Sequence, residues 1–155
     1  MIPRYNPNEE VVVKHKKGTY FYPSDSNPLY MMNPLARTSK MPLMKWFDIE
    51  ILNRNLNITD KAFDTSLHTY AYNYGRERIN MIWEFNEEQY SEVINSGDSF
   101  YMQPFIRHAF SNHDSGNGNL VVIGVSGAMN LSAQKELSYF SDLKRVARET
   151  RQWFN

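Results

Sequence analysis

The sequence predicts a mainly β fold, a barrel or sandwich followed by a helical segment. Three observations carry this. Short aromatic or β-branched runs recur up to position 126, separated by turns built on Gly, Pro, Asn and Asp. Aromatic residues make up 14 % of the chain, a share that suits strands enclosing an aromatic-lined interior. From Leu131 the apolar spacing changes from alternation to steps of three and four. Strands followed by helix argue a β-barrel or sandwich with a packed terminal helix.

The elements follow in order. Residues 1–10 read as an irregular arm. Glu10 to His15 is a strand candidate on its three valines, and Lys14-His15-Lys16-Lys17 reads as its solvated end. After Gly18 come a second candidate, Thr19–Tyr22, a turn over Pro23–Pro28, and a third short piece over Tyr30–Met32. Leu35–Lys45 is too irregular for a helix. Trp46–Leu52 alternates, with Phe47, Ile49 and Ile51 on one side and Trp46, Asp48 and Glu50 on the other. Asn53–Asp64 is a loop with one helical turn starting at Thr59 or Asp60. Leu67–Asn73 puts His68, Tyr70 and Tyr72 on one face and Leu67, Thr69 and Ala71 on the other. A hairpin at Tyr74–Glu77 leads to a return strand, Arg78–Phe85, and Asn86–Asn95 holds a short turn of helix.

Gly97-Asp98 is a turn, and Ser99–Gln103 alternates as a strand does. Pro104 ends that ladder, having no N–H to give. His108 then sits just past the corner, at the mouth of whatever the strands enclose. His113–Asn119 is a loop, and Leu120–Val125 is a strand buried on both faces. Ser132 caps a helix carrying Leu137, Phe140, Leu143 and Val146 or Ala147, and Asp142 starts a second helix. Eight short strands result. Residues 1–45 form an arm with short strands packing on a barrel, 46–126 the barrel core, and 127–155 the helical segment.

Composition narrows the function. Lys plus Arg and Asp plus Glu both number 17, so no global field favours nucleic acid or an acidic membrane. There are no cysteines. Disulfides, thiolate metal sites and cysteine nucleophiles are excluded, and a cytoplasmic setting is the default. No apolar signal core opens the sequence and no run is apolar for long enough to span a bilayer.

One constellation carries chemistry. Gly97-Asp98-Ser99, Pro104, His108 and Asn112 resemble the second signature of the cupins, which runs Gly, several residues, Pro, a gap, His, three residues, Asn. The glycine expected between Pro and His is replaced by Phe105 or Ile106. The first signature is His-x-His, three or four residues, then Glu. Ser66-Leu67-His68-Thr69-Tyr70-Ala71-Tyr72-Asn73 resembles a worn copy, with Ser66 for the first His, His68 for the second, and Tyr72 or Asn73 at the carboxylate position. Forty positions separate His68 from His108, which suits one strand–turn–strand unit. Within the cupins, the stretch from Gly97 to Asn112, its continuation to Phe140 and the Lys17–Tyr22 start are similar to the non-haem iron oxygenases of phosphonate metabolism, of the 2-hydroxyethylphosphonate dioxygenase and methylphosphonate synthase type.

The resemblance implies a double-stranded β-helix (jelly-roll) barrel and Fe(II) held by His68 and His108. It implies a small phosphonate such as 2-hydroxyethylphosphonate, chelated through a phosphonate oxygen and its hydroxyl, and O₂-dependent C–C cleavage to methylphosphonate or hydroxymethylphosphonate. No ketoacid cosubstrate is implied. Such relatives carry two cupin units, so this chain covers one, with a second unit or a homo-oligomer as partner, and neither nucleic acid nor membrane. An Fe(II) oxygenase wants two imidazoles and a carboxylate on one face. The relatives take the third ligand from a Glu six before the last His or a Gln four after the first; Met102 and Tyr72 hold those places. Strand parity turns both inward, which makes Tyr72 the candidate oxygen donor. Arg107, beside His108, is the nearest cation for catalysis, with Tyr30, Arg37 and Lys45 upstream for substrate. The bland alternative is a metal-free, catalytically silent unit that packs against a partner. His15 and His113 read as plain surface residues, and the methionines as core filler.

Overall fold

A computed structural model describes residues 9–58 and 62–126. The expected helices of 127–155 and the helical turn at Thr59 or Asp60 lie outside the described residues, as does most of the arm. Nine strands are present among the described residues: β1 (Tyr20–Tyr22), β2 (Tyr30–Pro34), β3 (Met44–Ile51), β4 (Leu67–Asn73), β5 (Ile79–Phe85), β6 (Glu88–Ile94), β7 (Ser99–Met102), β8 (Arg107–Asn112) and β9 (Asn119–Ser126). They form a six-stranded sheet, in the order β1-β2-β3-β9-β4-β7, and a three-stranded sheet, β6-β5-β8. Phe63 extends the second sheet by one bridge to His108. This is a jelly roll, two antiparallel sheets with their apolar faces inward. β1 and β2, drawn from residues 1–45, are woven into the larger sheet rather than laid on it.

The core lies between the sheets. Tyr30, Met32, Ile49, Ile51, Met102 and Leu120 come from the larger sheet, and Ile79, Met81, Ile94 and Phe110 from the smaller. In β3 the inward set is Phe47, Ile49 and Ile51, as alternation predicts. β9 differs from expectation: Leu120 is buried, but Val121 to Ser126 are only half-buried.

Other differences have local causes. The valine run at 11–13 joins no strand, and Val11 and Val13 are exposed. Tyr74–Glu77 is not a hairpin but a corner, because β4 belongs to one sheet and β5 to the other. The hairpin lies one element later, where Asn86 and Glu87 both take positive φ, 51° and 65°. That is the geometry of a two-residue type I′ turn, whose twist suits paired strands. β6 replaces the expected turn of helix, and an edge strand exposed on both faces shows no alternation in its sequence; five of its seven residues are exposed. β8 shows no alternation for the converse reason, since five consecutive residues, His108 to Asn112, are buried.

Polar side chains hold the corners. Asn73 donates from Nδ2 to the Glu77 carbonyl (2.9 Å) and the Ile94 carbonyl (3.1 Å), and its Oδ1 accepts from the Gly75 N–H. Asn112 donates to the Ile51 carbonyl (2.7 Å) and accepts from the Gly118 N–H (2.7 Å). Gly118 has no room for a side chain, since a Cβ there would lie 2.4 Å from Ile79.

Candidate functional site

Strand parity decides which residues meet. In β4, Thr69, Ala71 and Asn73 are buried, while Tyr72 is 48 % exposed. His68 and Tyr70 share the Tyr72 face by period two. Alternation groups these residues as expected, but the group that turns inward is Thr69, Ala71 and Asn73, not His68, Tyr70 and Tyr72. His68 lies on the outer face, its Nδ1 2.6 Å from the Tyr101 hydroxyl and its ring stacked on the Tyr101 ring. β7 obeys the same rule, with Tyr101 exposed and Met102 buried. Met102 points inward as expected; Tyr72 does not.

His108 is inward, at 4 % exposure. Its backbone pairs with Phe63 on one side and Trp83 on the other. The ring lies 5.6 Å from Phe63 and edge-on to Phe110 at 5.4 Å. Nδ1 lies 2.8 Å from the Ile106 carbonyl. A carbonyl only accepts, so Nδ1 carries the proton and Nε2 keeps its lone pair. Burial pushes the imidazole below the ordinary histidine value, against opposing pulls from the Ile106 carbonyl and the Asp64 carboxylate. His108 is thus a neutral imidazole at neutral pH, able to accept a proton or bind a metal through Nε2.

The two imidazoles do not meet: one is on the outer face of the larger sheet, the other between the sheets. With β4 in its observed orientation, the His-x-His-x₃-Glu pattern falls on the inward residues Leu67, Thr69 and Asn73. Leucine offers no donor. The Asn73 amide is spent on the corner backbone. Among the described residues no group of three or more His, Asp and Glu side chains is placed to hold a metal ion. The described residues therefore do not fit an iron centre of two imidazoles and a carboxylate, and of the two expected histidine ligands His108 faces the interior.

The remaining candidates are also placed. Tyr30 is 1 % exposed, and its hydroxyl donates to the Phe110 carbonyl (2.9 Å) while accepting from the Phe110 N–H (3.0 Å). That pair bolts β2 to the edge of β8 and leaves the phenol no capacity for a substrate. The Asn53 amide reinforces it by donating to the same carbonyl (2.8 Å). Arg107 has outward parity on β8, 3.8 Å from Glu84. Arg37 is exposed and donates to the Pro42 carbonyl (3.1 Å). Lys45 is exposed at the start of β3, opposite Gly124. His113 is exposed as expected, with Nδ1 2.7 Å from Asn80 Oδ1.

Phe63 and Asn53 give no signal in the sequence because both lie in a stretch that reads as loop. Asn73 gave a usable signal: an Asn immediately before Tyr-Gly is well placed to bond backbone groups at a turn. The missing signature glycine is located too. Phe105 has φ of 64° and a side chain 75 % exposed, so it occupies a left-handed position that glycine takes without cost.

Comparison with known proteins agrees with this fold and adds a sequence relationship. No protein-family model matches the chain. It is 31 % identical over its whole length to the methylphosphonate synthase of Nitrosopumilus maritimus strain SCM1, and spans 33 % of that protein. Among solved structures it resembles Streptomyces albus HEPD, determined with 2-hydroxyethylphosphonate and Fe(II) bound (TM-score 0.66, 24 % identity, 78 % of this chain and 26 % of that one). It also resembles the hydroxypropylphosphonic acid epoxidase of S. wedmorenis (TM-score 0.60, 18 % identity, 79 % of this chain and 62 % of that one). The chain has the cupin-type β fold of these solved proteins and resembles, along its full length, about a third of methylphosphonate synthase.

Proposed function

We propose that this chain is one cupin unit of a longer Fe(II)-dependent oxygenase acting on a small phosphonate such as 2-hydroxyethylphosphonate, with O₂-dependent C–C cleavage to methylphosphonate or hydroxymethylphosphonate. The observation that carries the reading is the end-to-end likeness to methylphosphonate synthase. The shared fold supports it. The inward residues of β4 temper it: Leu67, Thr69 and Asn73 include no imidazole or carboxylate, so in this reading the described residues contribute scaffold, packing and the His108 imidazole, and the other ligands come from elsewhere in the longer protein.

What the described residues do is definite. Tyr30, Asn53 and Asn112 fasten the two sheets around the aromatic core, and His108 presents one neutral imidazole inside it. Two measurements test the reading. Oxygen consumption by the full-length, iron-loaded protein is expected to rise on adding 2-hydroxyethylphosphonate; a flat trace overturns that substrate. Equilibrium dialysis of the 155-residue chain against Fe(II) is expected to leave wild type and His108→Ala equally poor in iron. Stoichiometric iron in the wild type, lost in the variant, would return the metal to this barrel.

A further inference from the structure

Opposite charges are segregated on this neutral chain. The loops from Glu9 to Gly18 and from Leu35 to Leu43 are tied together: the Glu9 carboxylate accepts from the Thr38 hydroxyl (2.6 Å) and the Ser39 N–H (2.7 Å), and Lys14 Nζ donates to the Pro34 carbonyl. This lobe exposes Val11, Val13, Met41 and Leu43. Lys16, Lys17, Arg37 and Lys40 are exposed around them. Far along the fold, the β5–β6 hairpin exposes Phe85 and Tyr90 among Glu87, Glu88 and Glu92. Among the described residues β6 ends its sheet and has a hydrogen-bonded neighbour only in β5.

Each surface supplies what the other lacks. Exposed large apolar side chains gathered in one place mark interaction sites. A basic rim against an acidic one sets register and speeds encounter. The edge of β6 adds backbone donors and acceptors for an extended segment, and the valine run is strand-prone yet joins no strand. We infer that the basic N-terminal lobe of one copy docks on the acidic β5–β6 hairpin of a second copy, with Val11–Lys17 lying along the β6 edge. The contact joins unlike patches, so it is heterologous and builds a ring or an open assembly according to its rotation. This goes beyond the proposed activity and does not depend on iron.

Sedimentation velocity of the whole chain tests it. Concentration-dependent association is expected at low salt, weakened roughly tenfold or more at about 0.5 M NaCl, where the screening length falls to a few ångströms. Lys16→Glu with Lys17→Glu, and separately Glu88→Lys with Glu92→Lys, are each expected to abolish it. Mixing those two variants is expected to restore association between unlike copies, because the basic lobe of one then meets the acidic hairpin of the other, and the charge-reversed lobe meets the charge-reversed hairpin. A chain that stays monomeric at every salt, or association that neither charge pair alters, overturns the inference. So does a monomer that binds anionic vesicles through the basic lobe, which would assign that surface to lipid.

Discussion

His68 and His108 are the same residue type on strands of one small domain, and they have almost nothing else in common. His68 stacks on Tyr101 on the outer face of the larger sheet. His108 sits between the sheets, its Nδ1 committed to the Ile106 carbonyl and its ring enclosed by Phe63 and Phe110. One residue of strand parity separates the two outcomes. A shift of one position moves a whole set of side chains to the other face, so a motif can match in spacing and residue type and still point away from its site. The contrast teaches that orientation must be settled before ligands are assigned.

The contrast can be broken by mutation. The largest effect is expected from Phe110→Ala, which removes the ring beside His108 and opens the core: about 3–5 kcal/mol lost in urea unfolding. A loss below about 1 kcal/mol would mean that the interior is not packed as described. Tyr30→Phe comes next. It keeps the ring but leaves the Phe110 N–H without the hydroxyl that accepts from it, at an expected cost of about 1–3 kcal/mol.

The protonation of His108 gives a third test. Its folded-state value is held below the ordinary 6.5, chiefly by burial. The unfolded state therefore binds more protons as pH falls through the ordinary value, and folding stability falls with it. The loss continues until the lower folded value is reached, at no more than about 1.4 kcal/mol per pH unit. Urea midpoints measured from pH 8 to pH 5 should fall more steeply for wild type than for His108→Asn. Parallel curves would remove the buried neutral imidazole from the account.

The smallest effect sharpens the other side of the comparison. His68→Ala, on the outer face, is expected to change stability by no more than about 0.5 kcal/mol. A loss of several kcal/mol would show that His68 is built into the core after all.

The amino-acid sequence alone determined that the protein is mainly β, that β3 carries Phe47, Ile49 and Ile51 on one face, and that Gly97, Pro104, His108 and Asn112 form a cupin-like run. Alternation, turn residues and motif spacing are local properties, and a chain displays them before it folds. Tertiary structure alone decided which face of β4 turns inward, that β4 and β5 part into different sheets, and that Tyr30 is consumed by Phe110. Those depend on partners distant in the chain: eighty positions lie between Tyr30 and Phe110. β4 displays alternation but not its direction, because aromatic and polar side chains occupy one face and small ones the other. Only packing against the opposite sheet selects Thr69 and Ala71 for the interior and leaves His68 outside.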